Sequence, residues 1–339
     1  MTRPDGVYFG LPEADYHGDR ALGSTDIKNL IQGPEVYWAE TPMNPLYEVG
    51  ETKSTLRGSA YHTLILEGEE VFNAKYAIEP CKDDYPNALY TAEEIGEALA
   101  KMGLSKTGKK GVLISRLLDA DPTAQIWDVI TEQFRDENEG RLPISKKLVA
   151  EIQYAARFIV ANPFLRDAFK GGVPEVSVFW TVDGVRRKLR VDYLKPGLNI
   201  DLKSYTNAYK SRADVAIHNT AARFGHDLQA AWYRPGLNLA RSLPWFVMNG
   251  AAVSEEWEAA FRKGPEIQTY FIYQSADKIP MARAKWMRYD LQTFKIAEMQ
   301  CENAVQLYLQ CVEQFGEDPW IIPEKPTQFE DEAFPMFRR

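Results

Sequence analysis

The stretch KLRVDYLKPGLNIDLKS, residues 188–204, gives the clearest indication of both fold and chemistry in this chain. Its spacing predicts two short strands joined by a tight turn at 195–197. Side chains of a strand alternate between its two faces, so Asp201 and Lys203 emerge on the same side. If the strands pair as a hairpin, Asp192 can reach that side as well. The stretch therefore predicts two carboxylates and one ammonium group beside a turn.

Two interpretations fit this pattern. Charged residues that alternate with apolar ones are typical of any half-exposed antiparallel hairpin, and the spacing alone favours that interpretation. Mg²⁺, however, prefers one or two carboxylates together with water and substrate phosphate. A lysine two residues after a metal-binding carboxylate can position or deprotonate the attacking water and neutralise charge on a phosphate. The remainder of the chain must decide between a solvated face and a metal site.

The composition is that of a soluble globular protein. The chain has 339 residues, of which 45% are hydrophobic, 12% aromatic and 26% charged. Residues 1–18 contain no apolar segment of the kind found in secretory signals. No run approaches the roughly 18 apolar residues that a membrane helix needs. We therefore expect a cytoplasmic protein that does not enter a membrane.

The cysteines exclude several kinds of metal site. Only Cys81, Cys301 and Cys311 are present, and no two of them form a C-x-x-C pair, so neither a disulfide framework nor a zinc site is expected. An iron–sulfur cluster usually needs four thiolates, and we expect neither such a cluster nor a nucleotide cofactor. The net charge of −8 argues mildly against a general nucleic-acid coat, although a local basic patch can still bind phosphate.

Two helices are predicted in the first part of the chain, after a turn-rich start. One begins with Ser24 or Thr25 as its N-cap and ends at 33–34, a Gly-Pro pair. The second covers 55–68 and carries His62. A lone histidine on a mostly apolar helix is usually structural, so His62 becomes a candidate ligand only if acidic residues meet it.

Residues 85–121 differ in character from their surroundings. They predict two short amphipathic helices around a connection rich in glycine and lysine, and Thr91 with Glu94 forms a capping box for the first helix. Between 101 and 116 there is no acidic residue. The candidates for DNA contact in this segment are Lys106, Lys109, Lys110 and Arg116. Charge alone is equally compatible with a solvated helical surface.

This segment resembles the SAP-like helix–extended–helix module, through a capped helix followed by MGLSKTGKKGVLISRLL. Members of that family bind duplex DNA. The resemblance implies a DNA-binding insert in which Lys109, Lys110 and the start of the second helix contact phosphates.

The middle of the chain predicts a helix over 145–169 and then an antiparallel meander. The first strand begins near Glu175 and joins the next through Asp183-Gly184, a two-residue hairpin turn. Glu175, Asp192 and Asp201 thus lie on three consecutive strands. Glu175 is either an isolated charge at a strand end or a third acid of one site.

The last third of the chain alternates between helices and strands. A helix places Gln229 and Tyr233 on one face, although that spacing carries little weight alone. The other elements predicted here are strands over 244–253 and 267–274, a long helix over 281–315 and an irregular tail over 319–339.

Taken in order, these features resemble the PD-(D/E)XK nuclease superfamily, and within it the RecE-type (exodeoxyribonuclease VIII) C-terminal nuclease. The resemblance rests on GSAYH ending at His62, on Glu175, on Asp192, on the D-L-K of 201–203 and on the Q-x-x-x-Y of 229–233. Two passages, LGSTDIKNLIQGPEVYW and RGSAYHTLILEGEEVF, also resemble RecE-like proteins. The similarity covers most of residues 15–275. It implies a restriction-endonuclease-like α/β core, in which helices flank a mixed sheet, with a small helical insert.

The resemblance further implies a metal site and its ligands. His62, Asp192, Asp201 and the backbone carbonyl of Leu202 would bind Mg²⁺, and Mn²⁺ would substitute for it. Glu175 would lie close by, acting through water or a second ion. The residues implied as catalytic are Glu175, Asp192, Asp201 and Lys203.

The remaining implied roles concern the phosphate and the DNA. Lys203 would orient or activate the attacking water and stabilise the pentacoordinate phosphate. Gln229 and Tyr233 would contact the DNA backbone or brace the site.

The resemblance leads us to expect a metal-dependent 5′→3′ exonuclease that acts on linear double-stranded DNA in phage-type recombination. Its partners would be a RecT-like annealing protein and further copies of the chain in a ring. Two alternatives remain: a structure-specific or single-strand DNA nuclease of a defence or repair system, and a non-catalytic DNA-binding protein. The expected division of the chain is an N-terminal part of the nuclease domain over 1–84, the insert over 85–121, the nuclease core over 122–318 and the tail over 319–339.

Overall fold

A computed structural model describes residues 2–47, 53–251, 253–323 and 325–326. Its centre is a seven-stranded sheet. The strands are β1 (Gly6–Phe9), β4 (Val173–Val182), β5 (Val185–Lys195), β6 (Leu198–Tyr205), β7 (Trp245–Val247), β8 (Gln268–Ser275) and β9 (Ala282–Trp286), and a separate parallel pair consists of β2 (Tyr76–Glu79) and β3 (Leu142–Ser145). The order in the sheet is β7-β1-β4-β5-β6-β8-β9. The β7–β1 and β6–β8 pairs are parallel and the other neighbours are antiparallel.

Helices cover both faces of the sheet, which confirms the predicted α/β class with a mixed sheet flanked by helices. The α-helices are α1 (Glu13–His17), α2 (Ser24–Gln32), α3 (Pro34–Ala39), α4 (Lys53–His62), α5 (Glu69–Lys75), α6 (Ala92–Lys101), α7 (Lys110–Ala120), α8 (Trp127–Glu137), α9 (Lys146–Ala161), α10 (Ala213–Arg223), α11 (His226–Leu239), α12 (Glu255–Lys263) and α13 (Gln292–Phe315). A π-helical turn, Thr63–Glu67, continues α4. In the described part of the chain, no helix has the length and apolar character to cross a membrane.

Both predicted turns of the meander are confirmed. Val182 pairs with Val185, and the two residues between them have positive φ, 50° at Asp183 and 76° at Gly184, as a primed hairpin turn requires. At the other end Lys195 pairs with Leu198 around a Pro-Gly turn.

Each face of the sheet has its own core. On one face α2, α11 and α13 pack on residues of β4 and β5 such as Trp180 and Leu189. On the other face α4 and α9 pack on Ile200, Leu202 and Ile272. Both cores exclude water from the strands that carry the candidate residues, so these strands hold fixed positions.

The alternation of faces breaks at one point in two neighbouring strands. In β4, Val173 and Val176 both join the α11-side core, although they are three positions apart and strict alternation would place them on opposite faces. In β5, Val191 and Leu194 do the same. The pairing register is the same before and after the break, because the alternation of faces is interrupted at paired positions in both strands, which we call the double slip. The residues at the double slip are Pro174, Glu175, Asp192 and Tyr193, so it re-aims two of the candidate acids.

Strands β5 and β6 form a fork. They pair only from Tyr193–Ile200 to the turn and then diverge, while β5 stays paired with β4 along its length. Asp192 and Asp201 are the first residues beyond the last pair. The fork therefore opens between the two aspartates of the predicted hairpin.

Several predicted boundaries were wrong. The helix expected over 281–315 begins only at Gln292, because Ala282–Trp286 forms the edge strand β9 against β8. The helix expected over 145–169 ends at Ala161, since the Asn-Pro pair that follows disfavours helix.

Three smaller predictions were also imprecise. The strand expected over 244–253 is limited to Trp245–Val247, and residue 252 lies outside the described residues. The N-cap of α2 is Gly23, whose N–H donates to the Asp26 carboxylate at 2.7 Å. The described part of the tail has no helix or strand, and residues 324 and 327–339 lie outside the described residues.

The insert leaves and re-enters the fold through the small parallel pair, between β2 and β3. It has its own core, formed by Ile95, Leu99, Leu113, Leu117 and Ile126. The predicted capping box is confirmed, because Thr91 accepts from the N–H of Glu94. The core reaches past residue 121, where the sequence predicted the insert to end, and includes the start of α8.

Candidate functional site

The fork between β5 and β6 is held open by a side chain. The Asp192 carboxylate accepts a hydrogen bond from the Leu202 N–H at 2.7 Å, in place of the backbone carbonyl that a continuing ladder would supply. This bond fixes one oxygen of Asp192 against β6. Strand β6, the second strand of the fork, contains Asp201 and Lys203. Both strands of the hairpin predicted from residues 188–204 therefore contribute to one site.

Three ligand-type side chains converge beside this bond. His62 from α4, Glu175 from β4 and Asp192 from β5 each offer a ligand atom, and these atoms lie within 4.8 Å of one another. His62 Nδ1 is 3.7 Å from Asp192 Oδ2. His62 also forms a hydrogen bond with the backbone of Leu202. Four of the positions implied by the resemblance thus meet in one place.

Glu175 occupies its position at a cost in backbone energy. Its φ is +52°, a left-handed conformation that non-glycine residues rarely adopt in a strand. Arg190 compensates, because its Nε donates to the Glu175 carboxylate at 2.6 Å and its guanidinium also donates to the Leu11 carbonyl. Arg190 therefore holds Glu175 toward Asp192.

Asp201 is bound to its neighbours on the opposite side of the fork. Gln229 Nε2 donates to one carboxylate oxygen at 2.6 Å, and Lys203 Nζ is 2.6 Å from the other. The Asp201 side chain is 1% exposed, whereas that of Lys203 is 23% exposed. Asp201 lies outside the group of atoms within 4.8 Å, so the predicted ligand set is brought together only in part.

Two acids of the site, Asp192 and Glu175, have a raised pKa, and burial is the main cause for both. Burial raises the pKa of Asp192 well above its usual range, and the negative charge of Asp201 raises it further. Burial also raises the pKa of Glu175, although Arg190 opposes this. The cluster is thus short of positive charge, and a divalent cation would supply it.

The donor set fits such a cation. Two carboxylates and one imidazole are hard or borderline ligands suited to Mg²⁺ and Mn²⁺. Burial lowers the pKa of His62, so its imidazole is neutral at neutral pH, which is the form that binds metal. His62 and Asp192 keep side-chain exposures of 32% and 17%, which leaves a path to solvent.

Comparisons with known proteins find a similar solved structure but no matching family. No protein-family model matches the chain, and no curated protein matches it. Among solved structures, the chain is similar to a "putative exonuclease" from Eubacterium rectale, with 12% sequence identity and a TM-score of 0.48, over 96% of this chain and 98% of that one.

Lys203 carries its charge at neutral pH. Burial would lower the pKa of its ammonium group, but Asp201 and Asp192 outweigh burial and raise that pKa above the ordinary value. In this arrangement Lys203 is a cation that can attract phosphate. To deprotonate water, Lys203 would first have to lose its own proton, and the negative charges of the two aspartates keep that proton on the lysine.

The helix α11 braces β5 beyond the fork, on the edge from which β6 has diverged. Trp232 Nε1 donates to the Lys188 carbonyl at 3.0 Å, and the Tyr233 hydroxyl donates to the Arg190 carbonyl at 2.8 Å. These bonds satisfy carbonyls that β6 would otherwise pair. Two roles were implied for Tyr233, contact with the DNA backbone and support of the site. Its hydrogen bond to β5 corresponds to the second.

The four basic residues singled out in the insert fall into two pairs. Lys110 Nζ donates to Asp128 at 2.7 Å, and Arg116 donates to the carbonyls of Ser105 and Thr107. Lys106 and Lys109 are exposed, and neither forms an ion pair with any described residue. The first pair holds the insert together, and only the second pair is free for phosphate.

Two residues of the site were missed from the sequence. Arg190 could have been found, because alternation places it two residues before Asp192 on the same strand. Lys28 on α2 could not. Its side chain packs against Gly225 at the start of α11, and burial, followed by the nearby charge of Lys203, lowers its pKa to about 8.

Proposed function

We propose that this chain is a metal-dependent nuclease that hydrolyses phosphodiester bonds of linear double-stranded DNA as an exonuclease. The observation that carries the proposal is the convergence of His62, Glu175 and Asp192 within 4.8 Å, at the mouth of a fork whose other strand holds the Asp201–Lys203 pair. A metal-ligand cluster beside a fixed ammonium group is suited to an anionic phosphate.

Each residue of the site has a task in this proposal. His62, Glu175 and Asp192 would hold the cation, and Lewis-acid polarisation of the scissile phosphate is the chemistry that a divalent cation supplies at such a site. Lys203 would attract the phosphate and stabilise the negative charge that grows on it during hydrolysis. Gln229 and Lys203 together would keep the Asp201 carboxylate turned toward the fork. Arg190 would position Glu175.

The finer features of the function are proposals that follow the family resemblance. They are 5′→3′ polarity, assembly into a ring, cooperation with a RecT-like annealing protein and a place in phage-type recombination. A ring fits exonuclease action physically, because a closed channel prevents the DNA from dissociating between successive cuts. End-labelled duplexes distinguish the polarity, and sedimentation of the purified chain measures the assembly.

The central test is digestion of linear duplex DNA with Mg²⁺. We expect Lys203→Met to reduce the rate about 100-fold to 1000-fold, since removal of one preorganised electrostatic donor typically has that effect. Asp192→Asn should abolish digestion and also weaken Mn²⁺ binding measured by calorimetry. Asp167→Asn is the matched control, because Asp167 is 70% exposed and pairs only with local basic side chains.

Retention of full activity by both site variants would contradict the proposal. Absence of digestion and of Mg²⁺ and Mn²⁺ binding in the unaltered chain would favour the non-catalytic DNA-binding alternative. Equal cleavage of closed circles and linear duplexes would favour a structure-specific or endonucleolytic enzyme.

A further inference from the structure

The loop that follows β6 has no role in the proposed site. The strand carries Asp201 and Lys203 and then runs directly into residues 206–212, before α10 begins at Ala213. Tyr209, at the tip of this loop, follows Lys203 by six residues. At no more than about 3.6 Å per residue, their backbones are at most about 22 Å apart.

The loop is fixed by its own side chains. The Asn207 side chain donates to the Ser211 carbonyl at 2.7 Å and accepts from the Ser211 N–H at 2.9 Å. The Asn207 N–H donates to Asp277, which lies in the loop after β8. These bonds close the loop on itself and tie it to the neighbouring strand connection. The side chains at its tip are therefore presented in a defined position.

The tip exposes an aromatic ring, and two cations follow it within three residues. Tyr209 is 94% exposed. Lys210, with a φ of +50°, and Arg212 are also exposed, and neither forms an ion pair with any described residue. A fixed loop that presents an uncovered ring and two free positive charges is suited to a ligand with flat apolar faces and negative charge.

Nucleic acid has this combination of properties. Each base has a π-face on which an aromatic ring can stack, whatever the sequence, and the backbone supplies a negative charge at each nucleotide. We propose that Tyr209 stacks on a DNA base close to the site, while Lys210 and Arg212 contact the flanking phosphates. The proposal rests on the proposed function, because it requires that DNA reach the fork. It assigns to this loop the capture of an unpaired base at a frayed or single-stranded end.

The test is binding of a duplex with a short single-stranded overhang, measured by fluorescence anisotropy in EDTA so that no cleavage occurs. Tyr209→Ala should raise the Kd about 5-fold to 100-fold, the range found for the loss of one stacked base. Tyr209→Phe should keep the affinity of the unaltered chain, because the ring is retained. Phe164→Ala is the matched control, since Phe164 is 92% exposed on a different element, and it should leave the Kd unchanged.

A second measurement separates the ring from the charges. Lys210→Ala and Arg212→Ala should each reduce the slope of log Kd against log salt by about one, whereas Tyr209→Ala should leave that slope unchanged. With 2-aminopurine at the overhang, the unaltered chain and Tyr209→Phe should quench the fluorescence, and Tyr209→Ala should not.

The outcomes distinguish this inference from the proposed function. Equal affinity of Tyr209→Ala and the unaltered chain, with DNA binding intact, would overturn the inference alone. No DNA binding by the unaltered chain would overturn both. A changed sedimentation coefficient for Tyr209→Ala with unchanged DNA affinity would assign the ring to contact between protein chains and would also overturn the inference.

Discussion

Lys28 illustrates how a single residue can oppose stability near a site. Burial lowers the pKa of its ammonium group to about 8, so at neutral pH the folded protein holds a charge that the unfolded chain hydrates better. An apolar side chain of similar length would avoid that cost. Its place beside Lys203 and Asp201 suggests a reason for its retention, because a second cation there would strengthen the attraction for phosphate.

We expect Lys28→Met to stabilise the fold and weaken DNA binding. The pKa falls from about 10.4 in the unfolded chain to about 8, which corresponds to about 1–3 kcal/mol at pH 7. Between pH 8 and 10 the unfolded chain binds more protons than the folded one, so the unaltered protein gains stability over this range. The advantage of Lys28→Met should therefore disappear near pH 10.

Urea denaturation at pH 7 and pH 10 measures the effect of Lys28→Met. Lys101→Met provides the control, because Lys101 is an exposed lysine on α6 and should show no change at either pH. If Lys28→Met were less stable than the unaltered chain at pH 7, favourable interactions of the Lys28 ammonium group would have to outweigh the cost of burying its charge.

At the residue scale, the sequence predicted the acids and the histidine better than the cations around them. His62, Glu175 and Asp192 were predicted to meet, and they do. Strand alternation predicted Lys203 on the same side as Asp201, and the two side chains pair. The contact of Asp201 with Gln229 was not predictable, because it depends on how closely α11 approaches the sheet. Lys28 looks like any surface lysine of a helix until Gly225 is packed against it.

At the scale of elements, the contact between α11 and the sheet sets the position of the fork. Gly236 makes this contact possible, because a Cβ there would lie 2.7 Å from Trp180 and Leu189 side-chain atoms. Both neighbours are fully buried and cannot move aside cheaply. The helix therefore approaches β4 and β5 closely enough for Trp232 to reach the Lys188 carbonyl.

Gly236→Ala should destabilise the fold by about 1–3 kcal/mol through overpacking, although alanine is the better helix former. Gly58→Ala on α4 is the matched control, since a Cβ at Gly58 meets no atom within 4 Å and should stabilise by up to about 1 kcal/mol. Thermal unfolding of the two variants gives the comparison. Stabilisation by both substitutions would show that α11 can shift outward without loss.

Elements with strong periodicity were predictable, and short or polar ones were not. The helix α2 and the β4–β5–β6 meander follow from spacing, caps and turn residues. Strand β9 was assigned to a helix, because its five residues alternate with too little apolar character to be distinguished from an amphipathic helix. Strand β1 was not recognised within the turn-rich start, since its stability depends on partners β4 and β7 that are distant in sequence.

At the scale of the whole molecule, the segment between β2 and β3 has a hydrophobic core of its own. Its core contains no residue of the central sheet. We expect that replacing residues 82–139 with a flexible linker of about ten residues will leave the nuclease core folded and its Mn²⁺ affinity unchanged. If the insert contacts phosphates, the variant should bind DNA more weakly and with a smaller dependence on salt.

Filter binding across a range of salt concentrations measures this change, and the double variant Lys106→Ala/Lys109→Ala should reproduce part of it. Lys110→Ala should instead lower the stability of the insert, because Lys110 pairs with Asp128. Unchanged DNA affinity after removal of the insert would assign it a role in partner binding or spacing.

The order of strands in the sheet could not be predicted from the sequence. The meander predicted β4, β5 and β6 as neighbours, but the parallel pairing of β6 with β8 and the insertion of β1 between β4 and β7 depend on contacts across the whole chain. The fork depends on them too, since β6 stays paired with β8 along its whole length after its pairing with β5 has ended.

The double slip at Glu175 and Asp192 has a consequence for how this gene can change. The alternation of faces is interrupted at the same place in both strands. Loss of one codon within β4 alone would therefore turn each side chain beyond it to the wrong face. Loss of one codon at the matching place in β5 would bring the alternation of the two strands back into agreement. Length changes in this hairpin should therefore survive only as compensating pairs, whereas the connection that carries the insert can lengthen or shorten freely.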